Sequence, residues 1–160
     1  MTISPPKFSA LLLLCLAAAC GGTDAPAVSN NFGASLSGAG EVPPVTTTTA
    51  TATATFTLSG ASVSYTIIYS NLSAAPTGAH IHLGPSTASG PVVIAFSGVP
   101  TTTSGTFSGT FTSADVKAQT SPAVTTLDNL VAQLRAGNAY TNMHTSNNPG
   151  GEVRGQIAVK

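Results

Sequence analysis

Residues 50 to 69 read ATATATFTLSGASVSYTIIY. Small or apolar residues alternate with threonine and serine on both sides of Ser59-Gly60, the pattern of two antiparallel strands joined by a tight turn. On the second arm Val63, Tyr65 and Ile67 fall on one face and Ser62, Ser64 and Thr66 on the other, because successive side chains of an extended chain point to opposite sides. Such a hairpin has one apolar face and one wet face. Working outward, similar short runs occur at 32–37, 79–83, 92–96, 106–112, 139–144 and 153–159, punctuated by glycine and proline. About eight strands of this kind predict an all-β fold, a Greek-key β-sandwich or barrel. In the last run Val153, Ile157 and Val159 are expected to form an inward row.

One helix interrupts the strands. In TTLDNLVAQLRAGN, Leu127, Leu130, Val131 and Leu134 recur at i, i+3, i+4 and i+7, so they line one stripe of a short amphipathic helix. Thr125 or Thr126 is placed to cap its start and Gly137 to end it, with Arg135 in the last turn where a cation suits the helix dipole.

Only 6% of the 160 residues are charged, five of each sign, against roughly 25% in an ordinary soluble domain. No basic surface for nucleic acid can be assembled from so few cations. The 42 serines and threonines supply the polar surface instead. Low charge with 42% hydrophobic residues also excludes a disordered chain.

The first twenty residues, MTISPPKFSALLLLCLAAAC, place one cation, Lys7, before an apolar run that is too short for a permanent membrane span. Three alanines precede Cys20, and Gly21-Gly22 follow it. The stretch resembles a bacterial lipoprotein signal, in which the cysteine is acylated and becomes the new first residue; ordinary secretion after Ala19 is the alternative. The chain is therefore divided into a leader (1–19), a flexible tether (20–30) and one β domain (31–160). The resemblance implies a membrane partner through lipid at Cys20 and a place in the cell envelope, at the outer membrane or cell surface where the host has one. With the leader cut before Cys20, no second cysteine remains for a disulfide, and the core alone must hold the domain.

All three histidines lie in two stretches, AHIHLG at 79–84 and AYTNMHTSNNPGGEVRGQ at 139–156. On an extended strand His80 and His82 point the same way, with Cα atoms roughly 7 Å apart, close enough to hold one metal ion together. Tyr140, Asn142 and His144 share a face by the same rule, and so do Glu152, Arg154 and Gln156. These rows define a candidate site: His80, His82 and His144 as metal ligands, with Tyr140, Asn142, Glu152 and Arg154 around them as supporting groups or a fourth ligand. Three imidazoles favour copper(II) or zinc over magnesium or calcium. An Arg154 guanidinium aimed into the site would oppose a cation unless Glu152 pairs with it. The other reading of the same residues is a structural cluster, in which the histidines hydrogen-bond to Asn142, Glu152 and Arg154 and tie strands together. If metal is bound, affinity is expected to fall below about pH 6, near the ordinary histidine pKa.

AHIHLG, the Gly90-Pro91-Val92-Val93 strand start and the AGNAYTNMHTSNNPGGEVRGQI ending together resemble the CHRD domain, the module repeated in the extracellular protein chordin and found singly in many bacterial exported proteins. The resemblance covers about residues 31–160 and implies an extracytoplasmic β domain. A fainter likeness links H-x-H-x-G to copper/zinc superoxide dismutases. That activity is not expected, because the chain lacks the further histidines and the internal cysteine pair of that family. No G-x-S-x-G elbow, phosphate loop or carboxylate pair is present either, so no catalytic residue is assigned. The competing role is a surface module that binds another exported protein or a glycan.

Overall fold

The computed structural model describes residues 1–2 and 28–160. Beyond Thr2 the leader lies outside the described residues, as do Cys20 and the tether up to residue 27. Among the described residues no helix is long and apolar enough to cross a membrane.

The strands are β1 (Asn31–Ser37), β2 (Thr51–Ser59), β3 (Ser62–Ser70), β4 (Pro76–Leu83), β5 (Val92–Ala95), β6 (Gly105–Thr112), β7 (Gln119–Thr120), β8 (Ala123–Val124), β9 (Ala139–Thr145), β10 (Val153–Gln156) and β11 (Ala158–Val159). One helix, α1 (Leu127–Arg135), precedes β9. The main sheet is antiparallel in the order β5-β4-β9-β10-β1-β2-β3-β6, with β11 beside β1 and β7-β8 as a separate small hairpin. Curled on itself, it makes a nearly closed barrel. The chain steps from β3 to the far end of this order, makes β4 and β5, and returns to lay β6 against β3, a Greek-key path.

Alternation builds the interior. Ala52, Ala54 and Phe56 of β2 and Val63, Tyr65, Ile67 and Tyr69 of β3 are buried, while Thr51, Thr53, Thr55 and Thr57 are exposed. Phe96, just after β5, lies 4.5 Å from the Tyr65 ring and 6.3 Å from Phe107 of β6 (centroid to centroid), so aromatic packing bridges the two sheet ends that no strand pairing joins. The edge of β5 is covered by the chain after β6, where Lys117 N–H donates to the Val93 carbonyl at 2.9 Å. The helix matches its sequence reading. Leu127, Leu130, Val131 and Leu134 are buried, the Thr126 side chain accepts from Asn129 N–H, and Gly137 (φ 67°) follows its end.

One expectation needs correction here. The 153–159 run is broken at buried Ile157, whose N–H donates to the Ala139 carbonyl, and β11 then pairs with β1 at its edge. Val159 is therefore 47% exposed and does not continue the inward row. The row Tyr140-Asn142-His144 shares one face, as the alternation predicts, and there Tyr140 and Asn142 are buried. Loop 84–90 and segment 38–45 lie over this part of the sheet, and Ser89 Oγ donates to the Val42 carbonyl at 3.4 Å.

Candidate metal centre

Strand register brings the histidines together. On β4 and β9, His82 stands opposite Tyr140, His80 opposite Asn142, and Gly78 opposite His144. On the far side of β9, Arg154 of β10 faces Asn142. Because Gly78 has no side chain, the His80 ring can lean across it toward His144: a Cβ there would come within 3.3 Å of the ring. Ring centroids are 4.9 Å apart for His80 and His144, 5.6 Å for His80 and His82, and 6.3 Å for His82 and His144. One nitrogen from each ring lies within 4.8 Å of the others.

The surrounding residues hold these rings in place. His82 Nδ1 is 2.8 Å from the Gly90 carbonyl, and Gly90 N–H donates to the Tyr140 hydroxyl at 3.0 Å. The Tyr140 ring stacks on His82 at 4.8 Å, with planes 9° apart, and carries the Arg154 guanidinium 3.4 Å from its centroid. Arg154 Nη2 donates to the carbonyls of Pro85 and Ala88, which pins loop 84–90 over the site. His144 Nδ1 is 3.0 Å from the Pro149 carbonyl, and its Nε2 is 3.2 Å from Asn142 Oδ1. His80 Nδ1 and His82 Nε2 are buried without a hydrogen-bond partner.

Burial penalises the charged imidazoles. It lowers the pKa of His80 to about 4, with the neighbouring His144, His82 and Lys117 adding to the effect. Burial likewise lowers that of His82, against the Gly90 hydrogen bond. Both rings are neutral at physiological pH, the form that ligates metal.

Tyr140, Asn142 and Arg154 stand around the histidines, but Glu152 does not. The bend at Gly151 and Glu152 comes before β10 begins and breaks the alternation that would have aligned Glu152 with Arg154. Its buried carboxylate accepts instead from Thr48 Oγ1 (2.7 Å), Ser73 N–H (2.8 Å), Ser73 Oγ (2.7 Å) and Thr145 Oγ1 (2.6 Å). Burial works against its ionisation, yet these hydrogen bonds outweigh it and hold the pKa at about 2.

The acid near Arg154 is Glu41, which the sequence reading did not single out. It follows the turn after β1, is buried, and lies by the Asn142 amide and within the field of Arg154. Burial pushes its pKa up to about 7 despite Arg154. Gly151 (φ 128°) makes room for it, since a Cβ there would overlap the carboxyl group. The available signal was its rarity: Glu41 is one of five acids in the chain, set between Gly40 and Val42-Pro43-Pro44.

A family profile described as the CHRD domain matches residues 32–157. The chain belongs to the CHRD-domain family. The matched span runs from β1 through β10 to Ile157, so it takes in Glu41, all three histidines and the loops that cover them. No curated protein and no solved structure matched the chain.

Proposed function

We propose that this CHRD domain binds one copper or zinc ion through His80, His82 and His144, as an exported, lipid-anchored binding protein and not an enzyme. The observation that carries the reading is the pair of buried imidazole nitrogens, His80 Nδ1 and His82 Nε2, that have no hydrogen-bond partner. Leaving a buried polar atom unpaired costs roughly 1–3 kcal/mol, and a purely structural cluster would be expected to pair them. Two nitrogens on one zinc at about 2.1 Å can be no more than about 4.2 Å apart. A span of 4.8 Å thus needs only a small rotation of one ring to close on an ion.

The test is titration of the purified protein with copper(II) and with zinc, alongside His82→Ala. The wild type should take up one equivalent and melt at a higher temperature with excess metal. A concentration of 100 times Kd stabilises by about 2.7 kcal/mol. His82→Ala should stay folded and lose stoichiometric binding. If the wild type takes up neither metal and His82→Ala merely lowers Tm, the cluster is structural. Proton competition at His80 itself begins only near its pKa of about 4, and the loss of affinity with falling pH is set by whichever of the three imidazoles protonates first. The anchor is tested separately. Cys20→Ser should move the protein from the membrane fraction to the soluble one, and unchanged partition would refute acylation there.

A further inference from the structure

We infer that Asn142 supplies the fourth ligand of this site through its Oδ1, and that Glu41 is the residue that orients it. The inference rests on the three-histidine reading above and follows from hydrogen-bond inventory. His82 Nδ1 faces the Gly90 carbonyl and His144 Nδ1 faces the Pro149 carbonyl. A carbonyl oxygen only accepts, so each ring, in the neutral form that binds metal, carries its proton on Nδ1 and leaves Nε2 as a bare lone pair. His144 Nε2 then stands 3.2 Å from Asn142 Oδ1, one acceptor against another. His82 Nε2 and His80 Nδ1 have no donor either. Lone pairs of His82, His144 and Asn142 converge with no proton among them, His80 Nδ1 stands beside them unpaired, and a cation turns that repulsion into coordination. The separation also fits: two donors bound at about 2.1 Å at square or tetrahedral angles lie roughly 3.0–3.4 Å apart.

An asparagine can present either end of its amide, and here Glu41 decides. Asn142 pairs with His80 on one side and Arg154 on the other, so its side chain shares their outward face. The Glu41 carboxyl sits over Gly151 and beside the Asn142 amide. In its ionised form the Glu41 carboxylate only accepts, which draws the Asn142 NH2 toward it and turns Oδ1 to the histidines. The reversed amide would set oxygen against oxygen. Glu41 also lies within the field of Arg154, next to the guanidinium charge that a bound dication would meet.

The experiment is copper(II) titration of the purified protein with electron paramagnetic resonance and X-ray absorption of the loaded samples. The wild type should show nitrogen ligation from three imidazoles and a fourth light-atom ligand that changes in the Asn142 variants. Asn142→Ala should lose about 10–100-fold in affinity, the range for removing a group that supports a metal site, and change both spectra. Asn142→Asp keeps the oxygen, adds charge and should bind more tightly; it decides the matter if the alanine variant does not fold. Glu41→Leu should weaken binding and reproduce the Asn142→Ala spectra. Glu41→Gln, which restores an acceptor oxygen, should recover part of the affinity, and Asn142→Ala with Glu41→Leu should bind no worse than Asn142→Ala alone. A wild type that binds copper, with Asn142→Ala and Asn142→Asp matching it in affinity and spectra, overturns the fourth ligand and leaves the three-histidine site standing. A wild type that binds neither copper nor zinc overturns the site itself, and this inference with it.

Discussion

The two sides of the barrel are built from the same kind of strand and are finished differently. Around β2, β3 and β6 the outward face is a field of exposed threonine and serine, with Thr66 Oγ1 and Ser108 Oγ 2.9 Å apart and water to satisfy the rest. Around β4, β9 and β10 the outward face is roofed by chain, and beneath the roof His82, Tyr140, Asn142 and Arg154 are buried. A barrel needs only its inner face covered to be stable. Burying polar and charged groups on the outer face costs free energy unless every one is paired, and here His80 Nδ1, His82 Nε2, Glu41 Oε1 and two Arg154 nitrogens are not. The hydroxyl side therefore serves folding and solubility, whereas the roofed side carries a cost that a bound ion would offset.

The largest effect expected from this contrast lies at the hinge of the roofed side. Glu152→Ala leaves donors from Thr48, Ser73 and Thr145 without an acceptor in a buried position and should cost roughly 3–5 kcal/mol, read as a fall in the denaturation midpoint. The same carboxylate sets an acid limb. Its folded pKa, about 2, lies below the ordinary 4.5, so its contribution is complete above about pH 4.5 and is lost as pH falls toward 2. The shift corresponds to about 3 kcal/mol. Glu152→Gln should flatten that limb; identical acid slopes for variant and wild type would show that Glu152 does not anchor this side.

Most of the barrel was legible because it depends on local periodicity. Val63, Tyr65 and Ile67 face inward by strand alternation alone, and Leu127 to Leu134 form a stripe by helical spacing alone. The same alternation sets His80 beside His82 and aligns Tyr140 with Asn142 and His144. It fails wherever the chain bends. Gly151 turns Glu152 away from Arg154, and the break at Ile157 exposes Val159. Periodicity is also blind to what comes from elsewhere in the sequence. Glu41 precedes Asn142 by about a hundred positions, and only the closure of β1 against β10 brings them together.

A middle-sized effect isolates one hydroxyl of the roofed side. Tyr140→Phe keeps the ring between His82 and Arg154 but removes the acceptor for Gly90 N–H, so the link from Tyr140 through Gly90 to His82 Nδ1 is cut. The expected loss is about 1 kcal/mol of stability, together with a weaker grip on copper because His82 is less firmly held. Calorimetry and metal titration of the two proteins check both parts. Unchanged values for each would mean that stacking alone positions His82.

The smallest effect is the sharpest form of the comparison, because one chemical change can be made on each side. Thr→Val replaces a hydroxyl by a methyl at nearly constant shape. At Thr53 of β2 the side chain is exposed, stands opposite Ile68, itself 55% exposed, and faces Ser35 of β1 on the other side. Valine there gives up only water contacts and gains an apolar cross-strand neighbour, worth a few tenths of a kcal/mol, so stability should stay within about 0.5 kcal/mol of wild type. At Thr141 of β9, on the interior face of the strand that carries Tyr140 and Asn142 outward, the side chain is fully buried and Oγ1 donates to the His80 carbonyl at 2.9 Å. Valine there removes a buried hydrogen bond and should cost about 1 kcal/mol, with some loosening of His80. The difference between the two melting temperatures, measured without metal, is the quantity that matters. If Thr53→Val proved as costly as Thr141→Val, the hydroxyl field would be holding the barrel together, and the exposed side could no longer be treated as the plain half of the molecule.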